Sequence, residues 1–328
     1  MFVFIFVRTS FSTNLYIKNH FENEQMLVYI LENCIFANLH GKDTNGGAIC
    51  LISNQELSID VKDTFVFNCS VLSGFNGGGI YFCSPKRGNA TFQRVCGAGC
   101  IAYGYTSGPN GQGQFLFAQV NNNCHIGLHY VTIVKCSPEL SAKRWRTSSL
   151  LYGYQLISNT NVSKNYVEWY SSFVIDNGKK VEICFFSVLN NTAMTYSIFS
   201  LYQVPNCIIS KMNFLYNAQN TNSNGLFLNQ CDFCRIKDSV FQSNNIGGSS
   251  LFCGFGGSIV IDSCYIDTYS FKSTSPSLLS LISAIPTYSI IHYHSFLCLA
   301  DNPFLLYPTF NYHIINLPFL FQLCALVL

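Results

Sequence analysis

Charge is the first thing this sequence lacks. Only 10% of its 328 residues are Asp, Glu, Lys or Arg, against roughly 25% in an ordinary soluble domain. Asparagine alone, at 32, is nearly as frequent as the 18 basic and 16 acidic residues combined, so polarity is carried by amides and hydroxyls. A formal charge of +2 leaves no footprint for nucleic acid, whose binding needs clustered Lys and Arg to displace counterions. The one basic knot, Lys143, Arg144 and Arg146 around Trp145, reads as a solvated loop.

Long apolar runs are also missing. The N-terminal MFVFIFVRTSFS is closed by Arg8 after six apolar residues, short of the roughly 7–15 that follow a basic segment in a signal peptide. From Ser273 to Leu328 the only formal charge is Asp301, but Pro276, Pro286, Pro303, Pro308 and Pro318 interrupt the stretch, and no clean run of about 20 apolar residues is left to span a bilayer. Its last twelve residues, LPFLFQLCALVL, would make half of a span in a truncated chain. Phosphate-binding glycine loops, nucleophile elbows and dinucleotide fingerprints are absent as well. Sixteen cysteines fall below the density of a disulfide scaffold, above roughly 8–10%. Four sequons, at Asn68, Asn89, Asn161 and Asn190, permit secretion without arguing for it.

What the sequence does have is a repeat. NGGAICLISNQ at 45–55 returns as NGGGIYFCSPK at 76–86, and the same grammar recurs in MNFLYN to NGLFL (212–228) and SVFQSN to IGGSSLF (239–252). A β-rich stretch ends in an aromatic residue or Ile three residues before an Asn, and glycines then open the next apolar stretch. Steps of about 31, later 25–27, with no helical periodicity predict a parallel β-helix in which successive coils stack. Gly supplies tight turns and Asn tolerates left-handed corners while bonding the Asn one coil away. Corner positions are therefore expected at Asn38, Gly46, Gly47, Asn68, Gly77, Gly78, Gly79, Asn217, Gly225, Asn244, Gly247 and Gly248, with Gly47 and Gly79 expected at strained φ. Phe65 with Phe67 and Ile259 with Ile261 are expected to point inward, as is a ladder of Phe side chains. The excursions 103–114 and 137–149 are expected outside. Residues 1–25 read as a cap or leader, 26–272 as the β-helix, and 273–328 as an irregular apolar tail, either a cap on the open end or a truncated membrane segment.

Phe-x-x-Asn followed by Gly-Gly-Ala-Ile resembles the repeat of the polymorphic outer-membrane proteins of intracellular bacteria, which also occurs in surface-protein families of parasitic protists. Phe65–Asn68, Phe214–Asn217 and Phe241–Asn244 match the first half, Gly46–Ile49 matches the second in full, and Gly77–Ile80 and Gly247–Leu251 are looser copies. The resemblance covers roughly 26–272, is poor over 97–200, and is followed by no autotransporter barrel. It implies an all-β, right-handed parallel β-helix serving as a non-enzymatic surface or adhesin-like module. A glycan or host-cell surface would be its partner, and the apolar tail its contact with a membrane.

The rival class is a polysaccharide lyase or hydrolase, which needs converging carboxylates and a nearby Arg or Lys. Its candidates are Asp60 with Asp63, Asp232 with Asp238, and Asp262 with Asp267, beside Arg235. For metal there are Cys96-x-x-x-Cys100, Cys231-x-x-Cys234, and His125 with His129 in a stretch that reads as strand. One half-hook of each kind does not make a zinc site, so no cofactor is expected. Cys207 and Cys234, each two residues before an Ile (Ile209, Ile236), read as buried thiols stacked in the core, and Cys184, Cys207, Cys231 and Cys253 recur at steps of 22–24.

Overall fold

The computed structural model describes residues 27–104, 111–136, 145–168, 171–219, 225–248, 250–268, 270–273 and 298, and the backbone of 3–7, 10–11, 15–19 and 278–282. The fold is all-β: parallel strands stack as a β-solenoid of about eight turns, and the described residues contain no helix. Three rows of longer strands run along it, and two-residue strands follow the third in two short sheets, His40–Gly41 with Ser70–Val71 and Ile101–Ala102, and Tyr166–Val167 with Thr192–Ala193 and Ala218–Gln219. The first row contains Ile49–Ser53, Ile80–Cys83, Leu116–Gln119, Ser148–Leu151 and Phe173–Asp176. The second contains Leu27–Glu32, His125–His129 and Ser258–Asp262; the third contains Ile35–Ala37, Thr132–Val134 and Val240–Gln242. Long strands such as Phe199–Leu215 turn through all three rows.

The spacing of the two Asn-Gly-Gly copies is the coil length, because Ile49 pairs directly with Ile80. Pairing extends beyond 26–272 on both sides: Val3–Val7 pairs with Leu27–Leu31, and Ser258–Asp262 with Leu278–Ile282. The boundaries expected at 25/26 and 272/273 are therefore not boundaries of the pairing. Apart from 278–282 and Cys298, the apolar tail lies outside the described residues, as do 105–110 and 137–144 of the two excursions. What is described of those excursions is not outside. The amide of Gln114 is buried and bonds both the N–H and the carbonyl of Ala102, and Arg146 to Ser149 are buried as the entry to a first-row strand.

Each coil turns from the second to the third row through one left-handed residue, among them Asn33, Asp63, Arg94, Asn159, Lys211 and Asp238. It leaves the third row through another: Asn38, Asn68, Gly99, Lys135, Lys164, Asn190, Tyr216 and Ser243. Asn38 and Asn68 are exposed and joined by a 3.4 Å amide bond. Asn217 and Asn244 sit one position further along and belong to a different column, which points inward. There the N–H of Cys136 donates to Asn165 Oδ1, that of Asn165 to Asn191, that of Asn191 to Asn217 and that of Asn217 to Asn244, at 2.9–3.1 Å. Each Asn Nδ2 donates to a third-row carbonyl of the preceding coil. In the earlier coils Cys69, Cys100 and Cys136 fill the same inner place, and the thiols of Cys69 and Cys100 reach the equivalent carbonyls of Phe36 and Val66.

The two glycines of the opening motif have separate tasks, and neither Gly47 nor Gly79 has the strained φ expected of it. The left-handed residues are Gly46 (φ 75°) and Gly77 (φ 71°). Gly47 is needed for close approach: a Cβ there would overlap the Gly78 carbonyl oxygen and lie 2.7 Å from the Ser70 nitrogen. Gly78 meets the next coil in the same way, and a Cβ on Gly79 would stand 2.8 Å from the Phe115 oxygen. Gly225, Gly247 and Gly248 are left-handed turn residues.

The core is a stack of rings. Phe173, Phe199, Phe227 and Phe252 follow one another in register along the first row, and Phe186, Phe214 and Phe241 meet them mostly edge to face at 5–6.4 Å. Each such ring contributes about 1.5–3 kcal/mol by burial and each pair about 0.5–1.5 more. Ile259 and Ile261 point inward as expected. Phe65 and Phe67 do not: they are half-buried and stack on each other outside at 5.7 Å, while Thr64 and Val66 occupy the core.

Gly46→Ala and Gly47→Ala should each destabilise the protein in denaturant titration, because at both positions the new methyl meets backbone, the Ile49 oxygen of the same turn at Gly46 and the Gly78 oxygen of the next coil at Gly47. Hydrogen exchange should locate the loss at 49–53 and 80–83 while 199–215 stays protected. Equal, negligible effects of both would contradict the assigned roles.

Candidate recognition face

Outward positions of the first row (Ser149, Val174, Ser200, Leu228) and of the third (Ala98, Thr132, Val134, Asn161, Ser187) are buried. The third row is open only towards its ends, at Ile35 and Tyr265, whereas among the described residues the second row has an open outer face over successive coils. Period-two alternation puts His125, Gly127 and His129 outside with Ile126 and Leu128 inside, then Tyr154, Leu156 and Ser158 over Gln155 and Ile157. Further along come Lys180, Glu182 and Cys184, then Asn206, Ile208 and Ser210, then Phe233, Arg235 and Lys237.

Three large apolar side chains stand in water on this face: Leu156, Ile208 and Phe233, exposed by 45%, 39% and 39%. The imidazole of His125 stacks on Tyr154 at 5.1 Å, Lys179 Nζ lies 5.0 Å from the same phenol ring, and it donates to Asn123 Oδ1. His129 Nδ1 is 2.8 Å from Ser158 Oγ, and burial lowers its pKa. The two histidines thus lie on a strand, as their sequence context implies, each with a partner from the next coil.

The carboxylates singled out from sequence do not converge. Asp60 pairs with Lys62, Asp63 accepts two bonds from Arg94, and Asp238 lies 3.7 Å from Lys237. Asp262 pairs with Arg235 of the neighbouring coil, Asp267 accepts the Ser243 N–H at 2.5 Å, and Asp232 is exposed. Hydrogen bonds from Arg235 and Ser263 hold the Asp262 carboxyl below its ordinary value. No group of three or more His, Cys, Asp or Glu among the described residues is placed to hold a metal ion. The Cys96/Cys100 hook does not form, since Cys96 bonds to Cys298 while Cys100 enters the core column. Arg146 is buried, 3.8 Å from Asp176, rather than solvated. Burial raises the Asp176 carboxyl against that pairing. Of the sequons, Asn68, Asn89 and Asn190 are exposed and Asn161 is buried. No helix among the described residues is long and apolar enough to cross a membrane.

The sequence reading missed Tyr154, Leu156, Ile208 and Phe233. The signal was Tyr-x-Leu-x-Ser alternating out of phase with Gln155 and Ile157, which is decipherable only once the inward phase is known. Comparison of the chain with protein-family models, curated proteins and solved structures finds no match.

Removing the Arg235 guanidinium by Arg235→Ala should return the Asp262 carboxyl toward its ordinary value, measured by carboxyl-carbon NMR titration. A depressed carboxyl adds stability above the ordinary carboxylate range and loses it as pH falls through the depressed value. The stability gap between wild type and variant should therefore close in acid, and a gap that widens in acid would contradict the pairing.

Proposed function

We propose that this chain is a non-enzymatic surface module of the polymorphic outer-membrane-protein type, adhesin-like, which engages a glycan or a host-cell surface through the outer face of its second row. The observation that carries the reading is that Leu156, Ile208 and Phe233 all stand in water on one face of a parallel sheet, interleaved with charges that are paired. Pairing of Asp60 with Lys62, Lys180 with Glu182 and Arg235 with Asp262 leaves shape, stacking and hydrogen bonds to select the partner. Acids held singly by cations favour this reading over a lyase or hydrolase, whose chemistry asks for several on one groove.

Beads coated with the protein should adhere to cells or to an immobilised glycan panel. Adhesion should persist when salt rises from about 0.1 M to about 1 M, where screening shortens from about 10 Å to about 3 Å. The triple change Leu156→Ser, Ile208→Ser, Phe233→Ser should abolish it while leaving the β-sheet circular dichroism intact. Adhesion unaffected by the triple change would refute the assigned face, and cleavage of an acidic polysaccharide by the purified chain would replace this reading with the enzymatic one.

A further inference from the structure

Three thiols meet inside the solenoid directly beneath this face. Cys207 and Cys234 are register partners on adjacent coils, and Cys231 precedes Cys234 on the same strand, opposite Val204. All three are at most 1% exposed, and they lie close enough that each perturbs the titration of the other two. Core filling does not demand sulfur here, because the same column holds Val181 one coil earlier and Ile259 one coil later. Cys184 and Cys253 do not join them: both are outward members of their strands, paired with Ser210 and Leu228.

Parallel neighbours lie about 4.7–4.9 Å apart, inside the roughly 4.4–6.8 Å that a disulfide spans between Cα atoms. The Cα spacing of Cys207 and Cys234, register partners on adjacent coils, thus falls within disulfide reach. We propose that Cys207 and Cys234 are an oxidation site, converted by hydrogen peroxide into a disulfide that joins two adjacent coils. Peroxide is small enough to enter a core closed to larger reagents. The Cys234 thiolate attacks one peroxide oxygen, the O–O bond breaks, and hydroxide leaves, giving Cys234 sulfenic acid. The Cys207 sulfur then attacks the Cys234 sulfur; the S–O bond breaks as the S–S bond forms, and oxygen departs as water with the Cys207 proton. Two thiols and one peroxide, with the protons conserved, give one disulfide and two waters. Cys207 and Cys231 lower the pKa of the Cys234 thiol against the effect of burial, which favours Cys234 as the attacking sulfur. The bridge would clamp together the strands that present Ile208, Phe233 and Arg235 on their outer side.

The folded full chain is treated with hydrogen peroxide, quenched, unfolded, alkylated and mapped by mass spectrometry with and without reductant. The expected product is a reductant-labile link between the peptides of Cys207 and Cys234, with Cys231 alkylated. Cys207→Val, which places the residue of the preceding coil in that column, should abolish the link and leave a Cys234 sulfenic acid that dimedone, present as the chain is unfolded, traps. Recovery of all three thiols as alkylated species overturns the proposal. So does a link through Cys231, in wild type or variant, and so does Cys234 sulfinic acid without a bridge.

Discussion

Everything in this solenoid depends on satisfying the backbone N–H just inside the corner that ends the third row. At that point the chain has left one sheet and has not begun the next, so the buried donor has no strand partner. Leaving it unpaired would cost about 1–3 kcal/mol per coil. In the later coils the answer comes from the neighbouring coil: the Asn that follows each left-handed corner offers Oδ1 to the N–H before it and Nδ2 to a carbonyl behind it. One residue type thus seals two coils at once and fixes their register. The left-handed residue itself is free to vary, which is why Lys, Tyr, Asn and Ser all occur there.

Register fixed at the corner dictates the rest. Rings at Phe173, Phe199, Phe227 and Phe252 can stack only if successive coils neither slip nor tilt, and the glycine pair at 46–47 lets the first-row backbones approach where a side chain would hold them apart. With the interior filled by Phe, Ile, Val and small thiols, the apolar residues of opposite phase have nowhere to go but out. Many of those outward positions on the first and third rows are buried, with Ile35 and Tyr265 of the third row exposed, while on the second row they remain in water at Leu156, Ile208 and Phe233. The face we assign to recognition is therefore what the packing leaves over.

Architecture was legible in the sequence because a repeat of glycine and asparagine at coil spacing leaves few other folds. Cys207 and Cys234 were legible for the same reason, each two residues before an Ile that pairs with its counterpart. What failed was phase. Phe65-x-x-Asn68 and Phe214-x-x-Asn217 look like one motif, yet Phe65 stacks with Ile35 and Cys96 outside, whereas Phe214 pairs with Val188 and Phe241 inside. The two copies differ by one residue in register, and with a period of two that shift exchanges core for solvent. It likewise separates exposed Asn38 and Asn68 from the inner column of Asn217 and Asn244. Leu156, Ile208 and Phe233 escaped notice because an apolar residue in a β-rich stretch looks like core until pairing assigns its side. Nor does sequence distinguish Gly46 from Gly47: neither has room for a Cβ, but Gly46 is blocked by its own left-handed turn and Gly47 by the adjacent coil.

Asn191→Ala is the most direct test of this account. It removes the acceptor of the Asn165 N–H and the Nδ2 donor to the Val162 carbonyl, while the backbone N–H of residue 191 can still donate to Asn217 Oδ1. Hydrogen exchange and denaturant titration on the same variant should show the Asn165 amide losing protection first, with a loss of about 1–3 kcal/mol centred on the coils at 154–193. A variant as stable as wild type, with the Asn165 amide still protected, would mean that the corner is held by something other than the asparagine column.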